Sequence, residues 1–218
     1  MSDSKNTSST RTFLYLACGI IVVVLVGVWT FKNFNFNRRY TVGQAIDSLN
    51  GVQVYYNGGV SNVTGRNLTE DNYNLGLKYQ CVEFVKRYYY EHLHHIMSDA
   101  SGNAKDFFDA SLPDGSISPK RGLTQYRNPS TTMPAPDDLL IFSGSALNSY
   151  GHVAIIARVT ENEIEIIQQN PGPYSPSREK LPLETVNGKW HIRSERILGW
   201  LRKEAVEKST SIIKSIKK

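Results

Sequence analysis

The sequence predicts an α+β domain that follows a single membrane-spanning helix. Three observations lead to this prediction: an uncharged apolar run over residues 13–31, helical spacing of apolar residues after Gln80, and β-branched runs after residue 139. Helices that precede antiparallel strands along a chain are typical of α+β folds. Hydrophobic residues make up 40% of the 218 residues and charged residues 21%, which argues against a largely disordered chain.

Cysteine count and charge narrow the class of protein further. Two cysteines cannot build a disulfide framework, and no paired C-x-x-C spacing offers a structural zinc site. We therefore expect neither a metal nor a cofactor. The net charge of +5 is scattered or terminal rather than gathered into a basic stripe, so we expect no nucleic-acid partner.

The first element is the apolar run over residues 13–31, FLYLACGIIVVVLVGVWTF. In a helix this run spans roughly 28 Å, close to the thickness of a bilayer's hydrocarbon core. A cleaved signal peptide is the alternative, but its apolar stretch is only about 7–15 residues long and ends at a small-residue cleavage site. We expect an uncleaved single-pass anchor. Neither end of the run has a clear majority of basic residues, so the sequence does not indicate on which side of the membrane the soluble domain lies.

The chain is predicted to divide into five segments. They are a polar N-terminal segment (1–12), the anchor (13–31), a linker (32–40), the soluble domain (41–202) and a solvated basic tail (203–218). Within the domain, Thr41 is a good N-cap and predicts a helix over TVGQAIDSLN that Gly51 ends. A short strand, VQVYY, and an Asn- and Gly-rich loop over 57–74 follow.

The helical pattern is strongest between Gln80 and about Ser98, where apolar residues recur at spacings of three and four. A short helix is expected over residues 103–110, and a loop with five prolines over 113–136. In the second half of the chain, the pattern of apolar and β-branched residues is typical of strands. Strands are expected at Leu139–Phe142, Val153–Val159, Ile164–Ile167, Trp190–Arg193 and Ile197–Leu201, with a hairpin between the second and third.

Cys81 is the first candidate for chemistry, because it lies at the predicted start of the long helix. Helix N-terminal amides favour a thiolate, and the backbone N–H of Cys81 can stabilise an oxyanion. The alternative is a small buried residue, the common role of a free cysteine. Cys18 lies in the apolar run, so the two thiols cannot readily meet and no intrachain disulfide is expected.

Three of the five histidines are poorly placed to act as a base for Cys81. His92, His94 and His95 lie on the predicted helix itself, and His92 is already about 16 Å along the axis from Cys81. With Glu91, His92 and His95 could form a metal site on the surface, a reading that we do not favour because no further ligands are at hand.

His152 is better placed, because it follows Gly151 and is the first residue of an apolar strand, where a side chain can face a cleft. His191, on a late strand, is expected at the surface. A basic imidazole needs a third group that holds its other nitrogen. Two pairs of opposite parity on the next strand are candidates, and spacing does not decide between them. The pairs are Glu163 with Glu165, and Gln168 with Asn170.

Three segments carry a resemblance to a known family: YQCVEF at 79–84, GHVAII at 151–156 and QQN at 168–170. They resemble the cysteine, histidine-dependent amidohydrolase/peptidase (CHAP) family, and most of all the amidase domain of glutathionylspermidine and trypanothione synthetases. The similarity spans roughly 41–202. It implies a papain-like fold, in which a cysteine at a helix start packs on an antiparallel sheet.

The resemblance also implies roles for individual residues. Cys81 matches the nucleophile and His152 the general base, while Tyr79 or Gln80 assists the Cys81 N–H in holding the oxyanion. Gln168 stands where the family usually has an acidic residue, so either Gln168 or Asn170 is expected to orient His152. An amide fills this role in papain-like enzymes.

The resulting hypothesis is a membrane-anchored thiol amidase that cleaves a small-molecule or peptide amide through a cysteinyl thioester. By resemblance, glutathionylspermidine is a plausible substrate if the domain faces the cytosol. Peptidoglycan peptides are the alternative if it faces outward in a bacterium. A rival of another class is a catalytically silent binding module, which the missing acidic residue supports.

Overall fold

The structure is a computed structural model that describes residues 4–99, 101–146 and 148–204. Most of the predicted basic tail and the first three residues lie outside this range. The elements are α1 (Ser4–Asn33), β1 (Ala45–Leu49), β2 (Val52–Tyr55), β3 (Arg66–Leu68), β4 (Asn74–Leu77), α2 (Cys81–Glu91), a 3-10 helix (Ala104–Phe107), β5 (Ser116–Ser118), β6 (Leu123–Arg127), β7 (Leu139–Phe142), β8 (His152–Val159), β9 (Glu163–Ile167), β10 (Arg178–Val186), β11 (Lys189–Ile192) and β12 (Ile197–Arg202).

An eight-stranded sheet in the order β11-β10-β9-β8-β7-β12-β6-β5 forms the centre of the domain. Every neighbouring pair in it is antiparallel. Together with α1 and α2, this sheet confirms the predicted α+β class with an N-terminal apolar helix. The five strands expected after residue 139 are all present, and the hairpin between β8 and β9 closes through Thr160 N–H to the Glu163 carbonyl at 2.8 Å.

Alternation along the central strands divides the core between the two faces of the sheet. Leu139 and Ile141 of β7 face one apolar cluster, which they share with Phe84 of α2. Leu140 of β7 and Trp200 of β12 face the other cluster. Since both faces are covered, successive residues in the buried part of these strands are apolar, which explains their continuous hydrophobic runs.

Helix α2 begins at Cys81 as predicted, but it ends at Glu91 rather than near Ser98. The chain turns after His92, and His94 adopts a left-handed backbone with φ of 49°. Phe84, Val85, Tyr88 and Tyr89 are fully buried on the sheet.

The helix predicted over TVGQAIDSLN is wrong. Residues 45–49 form β1, which pairs antiparallel with β2. Asn50 and Gly51 link the two strands with φ of 49° and 87°. Positive φ at both positions of a two-residue connection is the hairpin geometry that Asn-Gly favours, so the dipeptide that we read as a helix end is a hairpin turn.

Two predicted loops contain strands. The loop over 57–74 includes β3, which pairs with β4, and the proline-containing loop over 113–136 includes β5 and β6. Strand β10 was not predicted at all. Its charged residues are tolerated because β10 lies second from the sheet edge, where alternate side chains reach solvent.

Candidate active site

Cys81 is the first residue of α2 and is partly buried against the apolar cluster beneath the helix. The backbone N–H groups of Val153, Val82 and Cys81 itself lower the pKa of its thiol, against the burial that raises it. Val153 directly follows His152 at the start of β8, so the sulfur lies against the backbone that carries the candidate base.

His152 is positioned by backbone packing at Gly151 and by contacts of its ring. The preceding Gly151 has a φ of 78°, and a Cβ there would come within 2.6 Å of the Phe142 carbonyl oxygen. Only glycine allows this close approach of β8 to β7. The imidazole lies 5.7 Å from the ring of Phe142, measured between centroids.

Gln168, and not Asn170, contacts the imidazole. Gln168 Oε1 lies 2.8 Å from His152 Nε2, while its Nε2 faces the Pro176 carbonyl and the Glu179 carboxylate at 3.5 and 3.4 Å. Two acceptors beside the amide nitrogen fix the orientation of the amide. Its oxygen can only accept, so Nε2 of His152 carries the hydrogen and Nδ1 is left as the basic nitrogen.

The other candidates for the third position have partners elsewhere. Glu163 pairs with Lys180 at 2.7 Å, and Glu165 with Arg178 at 2.8 Å. Asn170 has a left-handed backbone with φ of 57° and donates to the Val60 carbonyl at 2.9 Å. Of these four candidates, Gln168 is therefore the one whose contact with His152 is observed.

The side chain of Gln80 holds a loop rather than facing the sulfur. Its Nε2 donates to the carbonyls of Val60 and Asn62 at 3.2 and 2.9 Å, and its Oε1 accepts from Asn170 at 2.7 Å. The Gln80 backbone N–H donates to Leu77. The side-chain and backbone N–H donors of Gln80 therefore both have partners within the protein.

Tyr79 also has a packing contact. Its ring lies 5.3 Å from that of Tyr55, and a Cβ at Gly43 would come 2.9 Å from its hydroxyl. Tyr79 thus packs the segment before Cys81 against Tyr55 of β2 and against Gly43.

Gln169 is a positioning residue that the sequence analysis passed over. It is completely buried, accepts from Tyr55 N–H at 2.7 Å, and donates to the Gln80 carbonyl at 3.0 Å and to Glu83 Oε2 at 2.8 Å. Glu83, also buried, forms an ion pair with Arg87 at 2.6 Å. The sequence did contain a clue to Gln169. Consecutive residues of an extended chain point to opposite faces, so Gln169 faces away from the side that Gln168 occupies.

The electrostatics differ from the expected helix-stabilised thiolate. Burial raises the pKa of Cys81 to about 11, against the backbone N–H groups that lower it. Burial lowers the pKa of His152 to about 4, although the bond to Gln168 opposes this shift. Near neutral pH Cys81 is therefore an uncharged thiol and His152 an uncharged imidazole, because desolvation outweighs the helix-start amides.

The remaining histidines lie away from this pair. His92 Nε2 contacts Asn50 Nδ2 at 3.0 Å, and His95 Nε2 contacts the Arg121 carbonyl at 2.7 Å. His191 contacts Glu184 on the neighbouring strand at 3.1 Å. Among the described residues, no group of three His, Cys, Asp or Glu side chains could hold a metal.

Comparison with known proteins finds a family whose domain matches the region of the site. Residues 71–170 match the CHAP domain, a range that includes every candidate site residue. Trypanothione synthetase of Crithidia fasciculata is 30% identical over 135 residues, which cover 59% of this chain and 20% of that protein. The bifunctional glutathionylspermidine synthetase/amidase of Escherichia coli is 29% identical over 150 residues, which cover 62% of this chain and 23% of that protein.

A third relative, the glutathionylspermidine synthase of Crithidia fasciculata, is 28% identical over 143 residues. The aligned part is about a fifth of the length of each of these relatives. The resemblance inferred from YQCVEF, GHVAII and QQN is confirmed.

Proposed function

Because residues 71–170 match the CHAP domain, we propose that the protein is a thiol amidohydrolase or peptidase with a papain-like site. Cys81 is the nucleophile, His152 the general base, and Gln168 orients the base. The observation that carries the proposal is the 2.8 Å contact of His152 Nε2 with Gln168 Oε1, since it leaves Nδ1 as the basic nitrogen. The packing of α2 on an antiparallel sheet supports the papain-like arrangement.

In the first half of the reaction, proton transfer accompanies attack because the resting pair is neutral. His152 Nδ1 takes the thiol proton while the sulfur forms a bond to the carbonyl carbon, and negative charge moves to the carbonyl oxygen. First-turn N–H groups of α2 stabilise this oxyanion. The tetrahedral intermediate then expels the amine, which takes the proton from Nδ1 and leaves a thioester on Cys81.

Water completes the cycle. It gives a proton to His152 Nδ1 and attacks the thioester carbon, and the second intermediate expels the sulfur of Cys81, which recovers that proton. Throughout, Gln168 accepts the Nε2 hydrogen and keeps the ring in one orientation. Glu179 places negative charge behind the Gln168 amide, which partly replaces the acidic residue that the family usually has at position 168.

The substrate that we favour is an amide of the glutathionylspermidine type, because the relatives are named for glutathionylspermidine or trypanothione. A peptidoglycan peptide is the second candidate, and a membrane anchor suits an enzyme that acts on the cell wall. The third candidate is a silent binding module, in which the Gln168 contact would serve only to satisfy the buried imidazole N–H.

The proposal includes an anchor formed by α1. Residues 10–33 are long and apolar enough to cross a membrane, and none of them is buried by the rest of the chain. Phe13 and Val23, for example, are 73% and 70% exposed. A lipid bilayer would cover these side chains, whereas a signal sequence would be removed. The domain over 41–202 then lies on one side of the membrane.

The test uses the full chain in liposomes, incubated separately with glutathionylspermidine and with a peptidoglycan stem peptide. We expect release of amine from one of them and an acyl-enzyme of matching mass on Cys81. The variant Cys81→Ser should abolish release, whereas Cys18→Ser, which changes the other cysteine, should not. If neither substrate is turned over and both bind reversibly, the protein is a binding module and the proposal fails.

A further inference from the structure

The segment predicted as a linker is fixed to the catalytic domain. The Lys32 carbonyl, in the last turn of α1, accepts from Ser61 N–H at 2.9 Å. A Cβ at Gly59 would come 2.3 Å from the same carbonyl oxygen, so the loop and the helix end are in backbone contact. The helix therefore ends against the loop over 57–62 rather than continuing into a free tether.

Residues after the helix repeat this contact on a second loop. Asn37 Nδ2 donates to the Pro173 carbonyl at 2.8 Å, and the Tyr56 hydroxyl donates to Asn35 Oδ1 at 3.0 Å. Asn35 in turn donates to the Tyr40 carbonyl at 2.9 Å, which folds the segment on itself. The position of the domain relative to α1 is thus fixed from two sides.

Aromatic rings surround the end of α1 where these contacts meet. We define the aromatic collar as Trp29, Phe31, Phe34, Phe36 and Tyr174. Phe31 stacks with Phe36 at 6.2 Å and with Tyr174 at 6.4 Å, measured between centroids, and Trp29 meets Phe34 edge-on at 5.9 Å. All five residues are exposed or nearly so, and Phe34, Phe36 and Tyr174 are 54%, 49% and 64% exposed.

The collar has the composition of a membrane–water interface. Aromatic rings are enriched at the level of the lipid headgroups, and Phe31 is the last residue of the apolar run. Tyr174 belongs to the catalytic domain, yet its stacking on Phe31 places it at the same depth. Lys32, Arg38 and Arg39 add positive charge beside the collar, which favours anionic headgroups.

The depth of Tyr174 matters because of the loop that carries it. Residues 171–175 directly follow Asn170, whose amide holds Gln80 beside Cys81. Gly172 and Ser175 of this loop line a shallow pocket together with Tyr55 and Gly58. The collar and the candidate active site therefore share one loop.

We propose that the collar rests in the headgroup layer of an anionic lipid bilayer, so that the catalytic domain lies on the membrane with the loop over 171–175 at its surface. This interaction surface depends on α1 being the anchor proposed above. A substrate would then meet the site at the membrane surface.

Site-directed spin labelling of the full chain in liposomes of phosphatidylcholine and phosphatidylglycerol tests this surface. Single cysteines for the nitroxide are introduced in a Cys18→Ser, Cys81→Ser background, and collision with oxygen and with a water-soluble nickel chelate is measured. Val22→Cys reports on α1, and Ser175→Cys on the loop beside Tyr174. The control, Ile117→Cys, lies on β5 at the opposite end of the sheet and is 68% exposed.

We expect oxygen-dominated collisions at residue 22, and several-fold fewer nickel collisions at residue 175 than at residue 117. In the Ser175→Cys chain, adding Phe36→Ser and Tyr174→Ser should restore nickel access. If residue 22 is in lipid but residues 175 and 117 are equally accessible to nickel, the anchor holds and the proposed surface is wrong. If residue 22 is itself accessible to nickel, the anchor fails, and the surface with it.

Discussion

Cys81 and His152 lie at the first positions of two elements, and the structure holds the two positions differently. The backbone before Cys81 is fixed through Gln169 and Gln80, which together bond β2, a loop and α2. Among the described residues, Gln168 is the side chain that hydrogen-bonds the His152 ring, which also packs against Phe142. Support for the proposed nucleophile is thus part of the fold, whereas hydrogen-bonded support for the proposed base is one replaceable contact.

This difference predicts that substitutions near the start of α2 act mainly on stability, and those behind His152 mainly on catalysis. The largest effect is expected for Glu83→Ala. It leaves Arg87 and Gln169 without their buried partner, and breaking a buried ion pair in this way costs roughly 3–5 kcal/mol of unfolding free energy. Denaturant unfolding would measure this.

Glu91→Ala is the matched control, because Glu91 is an exposed residue on the same helix. It should change stability by about 0.5 kcal/mol or less. Equal losses for the two variants would show that the network around Glu83 contributes nothing beyond ordinary helix surface.

The second effect is a dependence of stability on pH that originates at His152. Its pKa is about 4 in the folded protein and 6.5 ordinarily, so the unfolded chain takes up the proton first as pH falls. Stability is therefore fully present above pH 6.5 and decreases as pH approaches 4, by about 3 kcal/mol in all. Denaturant unfolding at a series of pH values measures this. The decrease in unfolding free energy between pH 6.5 and 4 should be smaller in His152→Ala, and unchanged in His94→Asn, which alters an exposed histidine.

The third effect is on the reaction. Gln168→Ala removes the group that fixes the His152 tautomer, and we expect amide hydrolysis to fall about 100-fold. Stability should fall by much less than in Glu83→Ala, because Gln168 bonds no part of α2. A variant that unfolds as readily as Glu83→Ala would contradict the division between the two regions. Gln168→Glu, which restores a carboxylate, should keep activity and raise the pKa of His152.

The smallest effect is expected for Glu179→Gln, which removes the charge behind Gln168. Glu179 is exposed and its contact with Gln168 is long, at 3.4 Å, so a loss of about threefold in hydrolysis is in order for such a pair. The pKa of His152, measured by NMR titration of its ring, should fall. Glu161→Gln, in the exposed β8–β9 turn, should leave that pKa unchanged.

Patterns with strong local causes were predictable from the sequence. The apolar runs of β7, β8 and β9 are buried on both faces, and the spacing of Phe84, Val85 and Tyr88 marks the buried face of α2. Cys81 and His152 were found because each opens such an element. The hairpin of β1 and β2 was missed because Thr41 suggested a cap, while the stronger Asn-Gly signal was read as a helix end.

Features that depend on contacts between distant segments were not predictable. Parity left Gln168 and Asn170 equivalent, and only the position of β10 and the loop at Val60 separates their roles. The raised pKa of Cys81 follows from burial, which the helix-start argument did not include. Strand β10 was not predicted because its charged residues face solvent and interrupt any apolar run.

The docking of residues 32–37 bears on where a recombinant fragment of the domain should begin. A fragment that starts at residue 41 exposes the Ser61 N–H and leaves the Tyr56 hydroxyl with the Pro173 carbonyl but without Asn35 as an acceptor. It also uncovers the loop whose Val60 and Asn62 carbonyls hold Gln80. A fragment that starts at Phe31 retains these contacts together with the ring that stacks on Tyr174, and is the better choice for crystallisation and for solution assays.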